Sequence, residues 1–135
     1  MKKLIVGLLV LFMLAACSSG ASASINGQWK LVSYGSASSQ TSATPNVDTT
    51  IEFKSDGKLN GNVGCNGFGG DYKVKGDTVT FGPVMSTMMF CEGPVGDQEM
   101  GTLAVLKESV KFVSDGNKLT ITSADGKSVI VLVRK

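Results

Sequence analysis

Four turn signals punctuate this chain: Asp56-Gly57, Gly76-Asp77, Asp115-Gly116-Asn117 and Asp125-Gly126 each lie between runs that alternate apolar and polar side chains. Glycine beside Asp or Asn supplies the positive φ that a tight hairpin needs, so the chain reverses there and the flanking runs pair antiparallel. Residues 49–54 and 58–61 flank the first turn, and 71–75 and 78–81 the second. Residues 111–113, 118–122 and 128–133 follow as a meander. A run over 28–34 carries the only Trp and reads as a first strand with one buried face. The Ser/Thr/Ala-rich stretch from Gly35 to Asn46 reads as a flexible surface loop.

One segment leaves the two-residue period. Pro94 and Asp97 are start signals, and Met100, Leu103, Leu106 and Val110 follow at near-helical spacing, which predicts a single helix. Asp97 is the expected N-cap, with Glu99 in the first turn and Lys107 near the last. Gly101 weakens the helix, and Met100 and Leu103 are expected in the core. The fold class that follows is α+β and mostly β: a curved antiparallel sheet or incomplete barrel of about seven to eight strands, closed by one α-helix.

The N-terminus reads as an address. Lys2 and Lys3 precede an apolar run from Leu4 to Ala16 that ends in Leu14-Ala15-Ala16-Cys17. Thirteen helical residues reach about 20 Å, short of a hydrocarbon core of about 30 Å, so the run suits a removable leader better than a permanent span. Its end resembles the bacterial lipobox, which implies a lipoprotein signal peptide over residues 1–16 and lipidation of Cys17. Two or three acyl chains would make a stable anchor. Residues 17–26 are then the lipidated Cys and a supple tether, and residues 27–135 the domain. The expected location is the extracytoplasmic face of the cell envelope. Ser18 in place of the Asp that retains enterobacterial lipoproteins at the inner membrane favours the outer one in a host with two membranes.

Composition narrows the chemistry. Thirteen basic residues fall to eleven once Lys2 and Lys3 leave with the leader, matching the eleven acidic ones, and they are scattered; a nucleic-acid partner is not expected. Histidine is absent, which removes triads of the Ser-His-Asp and Cys-His kinds and His-based zinc sites. Glu52, Asp56, Asp71 and Asp77 fall at turns or on presumed outward faces rather than converging. Gly64 to Gly70 does not lead into a helix start and lacks the Lys-Ser/Thr of a phosphate loop, and Gly126-Lys127-Ser128 has Ile121 where the first Gly would stand. These glycines read as sharp bends or close backbone contacts, with Asn66 satisfying exposed peptide groups. No catalytic residue, metal or cofactor is expected.

With Cys17 taken by lipid, Cys65 and Cys91 remain as an even pair in an oxidising compartment. A structural disulfide is the leading reading, worth about 3.5 kcal/mol in the chain-entropy model; buried free thiols and a reactive pair are the alternatives.

The stretch from Gly61 to Gly70, Gly-Asn-Val-Gly-Cys-Asn-Gly-Phe-Gly-Gly, is followed by Met85-Ser86-Thr87-Met88-Met89-Phe90-Cys91. Together with the Trp strand this resembles the META (HslJ-like) domain family, through Trp29, Gly61, Cys65, Asn66, Phe68, Gly70, Thr87, Met89 and Cys91. Met88 stands where relatives commonly carry a basic residue. The resemblance implies a small curved sheet or incomplete barrel closed by one helix, similar in outline to secretin-pilot lipoproteins. It also implies an envelope lipoprotein, linked in relatives to heat response or drug tolerance, with no established catalysis. The expected role is a monomeric, stress-related or protein-binding adaptor, with a purely structural envelope protein as the alternative. Met85, Met88, Met89 and Phe90 decide between the two: exposed, they suit an envelope protein or peptide partner, and buried, they are core.

Overall fold

The computed structural model describes residues 24–135. The leader, Cys17 and the tether up to residue 23 lie outside the described residues. β1 (Gly27–Ser36), β3 (Thr50–Phe53), β4 (Lys58–Asn62), β5 (Gly67–Lys75) and β6 (Thr78–Phe81) precede the helix α1 (Gly93–Val105). β8 (Ser109–Ser114), β9 (Lys118–Thr122) and β10 (Ser128–Arg134) follow it. Each strand pairs antiparallel with its neighbour, in the order β10-β9-β8-β6-β5-β4-β3-β1. β1 also pairs with β10, from Trp29↔Arg134 to Ser36↔Ser128, so the eight-stranded ladder closes on itself as a barrel. Closure removes both open edges, which would otherwise offer unpaired backbone to other chains.

Two short strands decorate the ring. β2 (Ser39–Ser42) pairs with the second half of β1, and β7 (Met85–Ser86) with Phe68 and Gly69 of β5. β2 lies inside the expected flexible loop, and all four of its side chains are exposed. Backbone pairing and the bond from Ser33 Oγ to Gln40 Oε1 (2.6 Å) order it, neither of which needs an apolar side chain.

The alternation read from the sequence becomes an inward face. Trp29, Leu31, Ile51, Phe53, Leu59, Val79, Leu119, Ile121, Ile130 and Leu132 are all buried in one cluster. Each such side chain contributes about 1.5–3 kcal/mol when fully buried. Within the cluster, the Phe53 and Tyr72 rings meet edge to face at 5.0 Å. In β1 the period slips: the partner of Leu31 is Leu132 and that of Ser33 is Val131, so Val32 is an extra residue on one side of the ladder. This bulge turns Tyr34 inward in place of Ser33.

Ile25, assigned to the tether by the sequence reading, is buried in the same cluster, and Trp29 Nε1 donates to its carbonyl at 2.7 Å. The ordered domain therefore begins by residue 24, because an apolar side chain at position 25 packs beneath the Trp. Arg134, the only arginine, seals this end. Its guanidinium lies 3.9 Å from the Trp29 ring centroid and donates to the carbonyls of Gly116 (2.8 Å), Ser24 (3.0 Å) and Asn26.

The helix differs from its expectation in three ways. It starts at Gly93 behind Glu92, with Pro94 in its first turn, so Asp97 lies inside it and caps nothing. It ends at Val105, leaving Lys107 beyond its last turn and Val110 in β8. Met100 is exposed rather than core, while Leu103 packs partly against the cluster. The reason is that the buried face is polar and small: Gly96, Gln98, Glu99 and Thr102 face inward, with Val105. Gly101 has a tertiary purpose, since a Cβ there would stand 2.8 Å from the Tyr34 ring. The helix lies against β1 and β10. Among the described residues, no helix is long and apolar enough to cross a membrane.

Candidate functional site

Registers place the two ends of the barrel. Gly27 is opposite Phe53 and Trp29 opposite Arg134, so the N-terminal segment shares one end with the 55–57 and 115–117 turns. Asn62 is opposite both Thr50 and Gly67, and Ser36 opposite Ser128, at the other end. There the 63–66 loop, the 87–92 segment and α1 meet.

Glu99 organises this junction. Its Oε2 accepts from the backbone N–H groups of Cys65 (2.9 Å) and Asn66 (2.7 Å), and its Oε1 from Asn66 Nδ2 (2.6 Å). Asn66 passes the connection on. Its Nδ2 also donates to Met89 O (3.1 Å), and its Oδ1 accepts from Met89 N (2.8 Å) and Thr87 Oγ1 (2.9 Å). One residue earlier in the same helix, Gln98 does the same for the neighbouring loops: its Nε2 donates to Val63 O (2.6 Å) and its Oε1 accepts from Thr44 N (2.6 Å). Both helix side chains are buried, so each of their hydrogen bonds is costly to leave unmade.

Cys65 and Cys91 form a disulfide with Cα atoms 6.0 Å apart, closing the 87–91 segment onto the same loop. Two glycines permit the fit. A Cβ on Gly64 would stand 2.6 Å from Glu99 Oε2, and a Cβ on Gly96 would run into the Cys91 carbonyl. Beneath the helix, burial raises the pKa of Tyr34, reinforced by the charge of Asp97.

The backbone of the 87–91 segment is thus tied down while the side chains of Met88, Met89 and Phe90 point out. Met88 is 96% exposed, Phe90 87% and Met89 60%, and Met100 on the helix adds a fourth apolar side chain at 68%. These four line one groove of about 480 Å³ whose floor includes Asn66 and Glu99. Met85 is also exposed but lies outside that groove, on β7. Of the motif residues, Cys65, Asn66, Thr87, Met89 and Cys91 converge at this junction. Trp29 and Phe68 are core, and Gly61 and Gly70 sit within β4 and β5.

Chemically, the junction is a scaffold. Three N–H donors, two on Oε2 and one on Oε1, occupy the Glu99 carboxylate and give it a structural task. Cys65, Cys91 and Glu99 bring their donor atoms within 4.8 Å of one another, a spacing that suits a metal only with free thiols, and here the sulfurs are bonded to each other. The sequence reading placed Glu99 in the first turn, for the helix dipole, whereas the helix starts at Gly93 and Glu99 lies beyond that turn; Gln98 was not singled out. The available signal was the weak apolar stripe of the helix, whose inward positions had to be filled by something polar.

A closed antiparallel barrel with an inserted helix at one end and a disulfide-tied, Gly-Cys-Asn loop beside it defines a compact class of small β domains. A model of the META domain family matches residues 22–135, and the chain belongs to that family. Three solved structures share the fold. An NMR structure of a protein from Burkholderia xenovorans superposes with a TM-score of 0.67 at 21% identity, over 82% of each chain. A second NMR structure gives 0.60 at 21% identity, over 80% of this chain and 89% of the other. The crystal structure of a DUF4847 family protein from Bacteroides vulgatus gives 0.57 at 16% identity, over 82% and 93%. At these identities the likeness is one of fold. Among curated proteins, none matches the chain.

Proposed function

We propose that this protein is a non-catalytic binding module of the cell envelope, anchored by lipid at Cys17 after removal of residues 1–16. In this reading, the groove formed by Met88, Met89, Phe90 and Met100 holds an apolar segment of an envelope protein or peptide. The observation that carries the reading is the exposure of Met88 and Phe90 on a backbone clamped by Asn66 and the disulfide. Large apolar side chains held out into water cost free energy that a covering partner recovers, and methionine adapts to varied surfaces. A loop kept for stability alone would turn these side chains inward, so the purely structural alternative has less support.

The placement of the two ends adds a direction. The chain enters the barrel at the end sealed by Arg134, and the groove is at the other, so a tethered domain would present the groove away from the anchoring bilayer. Ten residues of β1 span about 30 Å, which sets the scale of that separation. The partner is therefore a protein or peptide rather than the lipid surface itself.

Photo-crosslinking tests this in intact cells. A benzophenone side chain at position 90 is expected to capture a discrete envelope protein, and capture is expected to fall when Met88 and Met89 are both changed to Ser. The same probe at position 73, exposed near the C-terminal end of β5, serves as the reference. Crosslinks only to lipid, or equal capture at both positions, would overturn the reading. Globomycin-type inhibition of lipoprotein processing is expected to shift the protein to its unprocessed mass, and a mature protein with an unmodified Cys17 would remove the anchor.

A further inference from the structure

Methionine is an ordinary core residue, yet this chain keeps none of the described ones in its core. Of the six methionines, Met1 and Met13 fall in the leader, and the other four, Met85, Met88, Met89 and Met100, are all exposed. The core is built instead from Leu, Ile, Val, Phe, Trp and Tyr. Three of the four exposed methionines line a single groove, although they come from two separate segments of the chain. The frame that brings them together is rigid. Met89 is held at both its N–H and its carbonyl by Asn66, and Met100 is one turn beyond Gly96, against which the Cys91 carbonyl is packed.

Thioethers differ from the aliphatic side chains they replace in one chemical respect: the sulfur is a soft, neutral donor. Soft thioether ligands select Cu(I) over the harder divalent ions. The chain has no histidine, so no imidazole competes at the groove to favour Zn(II), Ni(II) or Cu(II). The cysteine sulfurs beside the groove are bonded to each other, which leaves the thioethers as its soft donors.

We infer that Met88, Met89 and Met100 form a surface site for a soft monovalent cation, Cu(I) in the first place. The inference concerns the same surface as the binding reading but does not depend on a peptide docking there. Three neutral sulfurs on flexible, unbranched stems can close around such an ion while the anchored backbone stays in place. The site requires no change in the disulfide and no electron transfer.

The test uses the full chain in detergent, disulfide intact, with methionine methyl groups labelled with carbon-13. Ag(I) is the redox-inert probe, Cu(I) maintained by ascorbate the second, and Zn(II) the harder control. Ag(I) and Cu(I) are expected to shift the Met88, Met89 and Met100 methyl signals together, saturating at a single equivalent. Met85, outside the groove, is expected to stay unmoved, as are all signals with Zn(II). The M88L/M89L/M100L variant is expected to lose Ag(I) binding while keeping an apolar surface, and with it any crosslinking at position 90. Absence of shifts, shifts of Met85, Met88, Met89 and Met100 in parallel without saturation, or Ag(I) binding at the groove that persists in the leucine variant would each overturn the site. Ag(I) binding by the unaltered protein without any protein crosslink at position 90 would instead count against the peptide reading alone. Should the leucine variant fail to fold, the methyl pattern of the unaltered protein still decides.

Discussion

The two ends of this barrel are closed by different physics. At the N-terminal end, Ile25 is buried under Trp29 and one guanidinium, that of Arg134, covers the ring and gathers three carbonyls. At the other end a buried carboxylate and two buried amides hold two loops to a helix with a polar inner face, backed by a disulfide. Apolar closure tolerates modest change, because neighbouring side chains repack. A polar network does not, since each lost partner leaves a buried donor unsatisfied. The groove stands on the less forgiving end, which is where a loop with exposed Met and Phe side chains needs a fixed backbone.

That contrast can be broken most severely at Glu99. Glu99→Ala is expected to destabilise the fold by about 3–5 kcal/mol in urea denaturation, since Cys65 N, Asn66 N and Asn66 Nδ2 lose their acceptor together. Glu99→Gln keeps one acceptor oxygen and should cost less than half as much; equal losses would mean the charge, not the acceptor, matters. Replacing Cys65 and Cys91 together by Ser is expected to cost about 3.5 kcal/mol by the chain-entropy estimate. Native-state hydrogen exchange should then rise in the 63–66 and 87–91 segments and stay protected in the strands around Trp29. A uniform rise would show that the two ends do not behave separately.

Arg134→Ala attacks the opposite end and is expected to cost about 1–2 kcal/mol, from the lost cation–π contact and carbonyl bonds. The exchange pattern should invert, with residues 24–29 loosening and the 87–91 segment unchanged.

The smallest expected effect is acid sensitivity. Lys135 holds the Asp48 carboxyl below the usual range through its hydrogen bond, Lys111 does so for Asp77, and turn donors led by the Lys118 N–H and the Ser123 hydroxyl lower Asp115 and Asp125. A depressed carboxylate stabilises the fold above its unfolded value of about 4, and that contribution fades as pH falls through the folded value. All four groups lie at the surface, so the urea midpoint should drop only slightly between pH 5 and pH 3.

Much of the fold was legible in local patterns. The Asp-Gly and Gly-Asp turns placed the hairpins, and two-residue alternation identified Ile51, Phe53, Val79, Phe81, Leu119 and Ile121 as one face. Local reading failed where a residue answers to a distant partner. Tyr34 turns inward only because a bulge at Val32 shifts β1 against β10. The helix begins four residues before Asp97, and Met100 faces water because Glu99 beside it must reach a loop thirty-three residues away in sequence. The apolar spacing that signals the helix does not mark its buried face, since that face is polar.

By itself, then, the sequence determined the class of the fold, the pairing order of the hairpins, the family and the pair of cysteines available to bond. Those are properties of short windows and of composition, where turn chemistry, period and residue type act over a few neighbours. Only the tertiary structure decided that the ladder closes, that Glu99 is the keystone of the helix end, and that Met88, Met89 and Phe90 are joined by Met100 in one exposed groove. Those outcomes depend on which groups meet across the fold, because a buried polar side chain is worth only what its partners make of it.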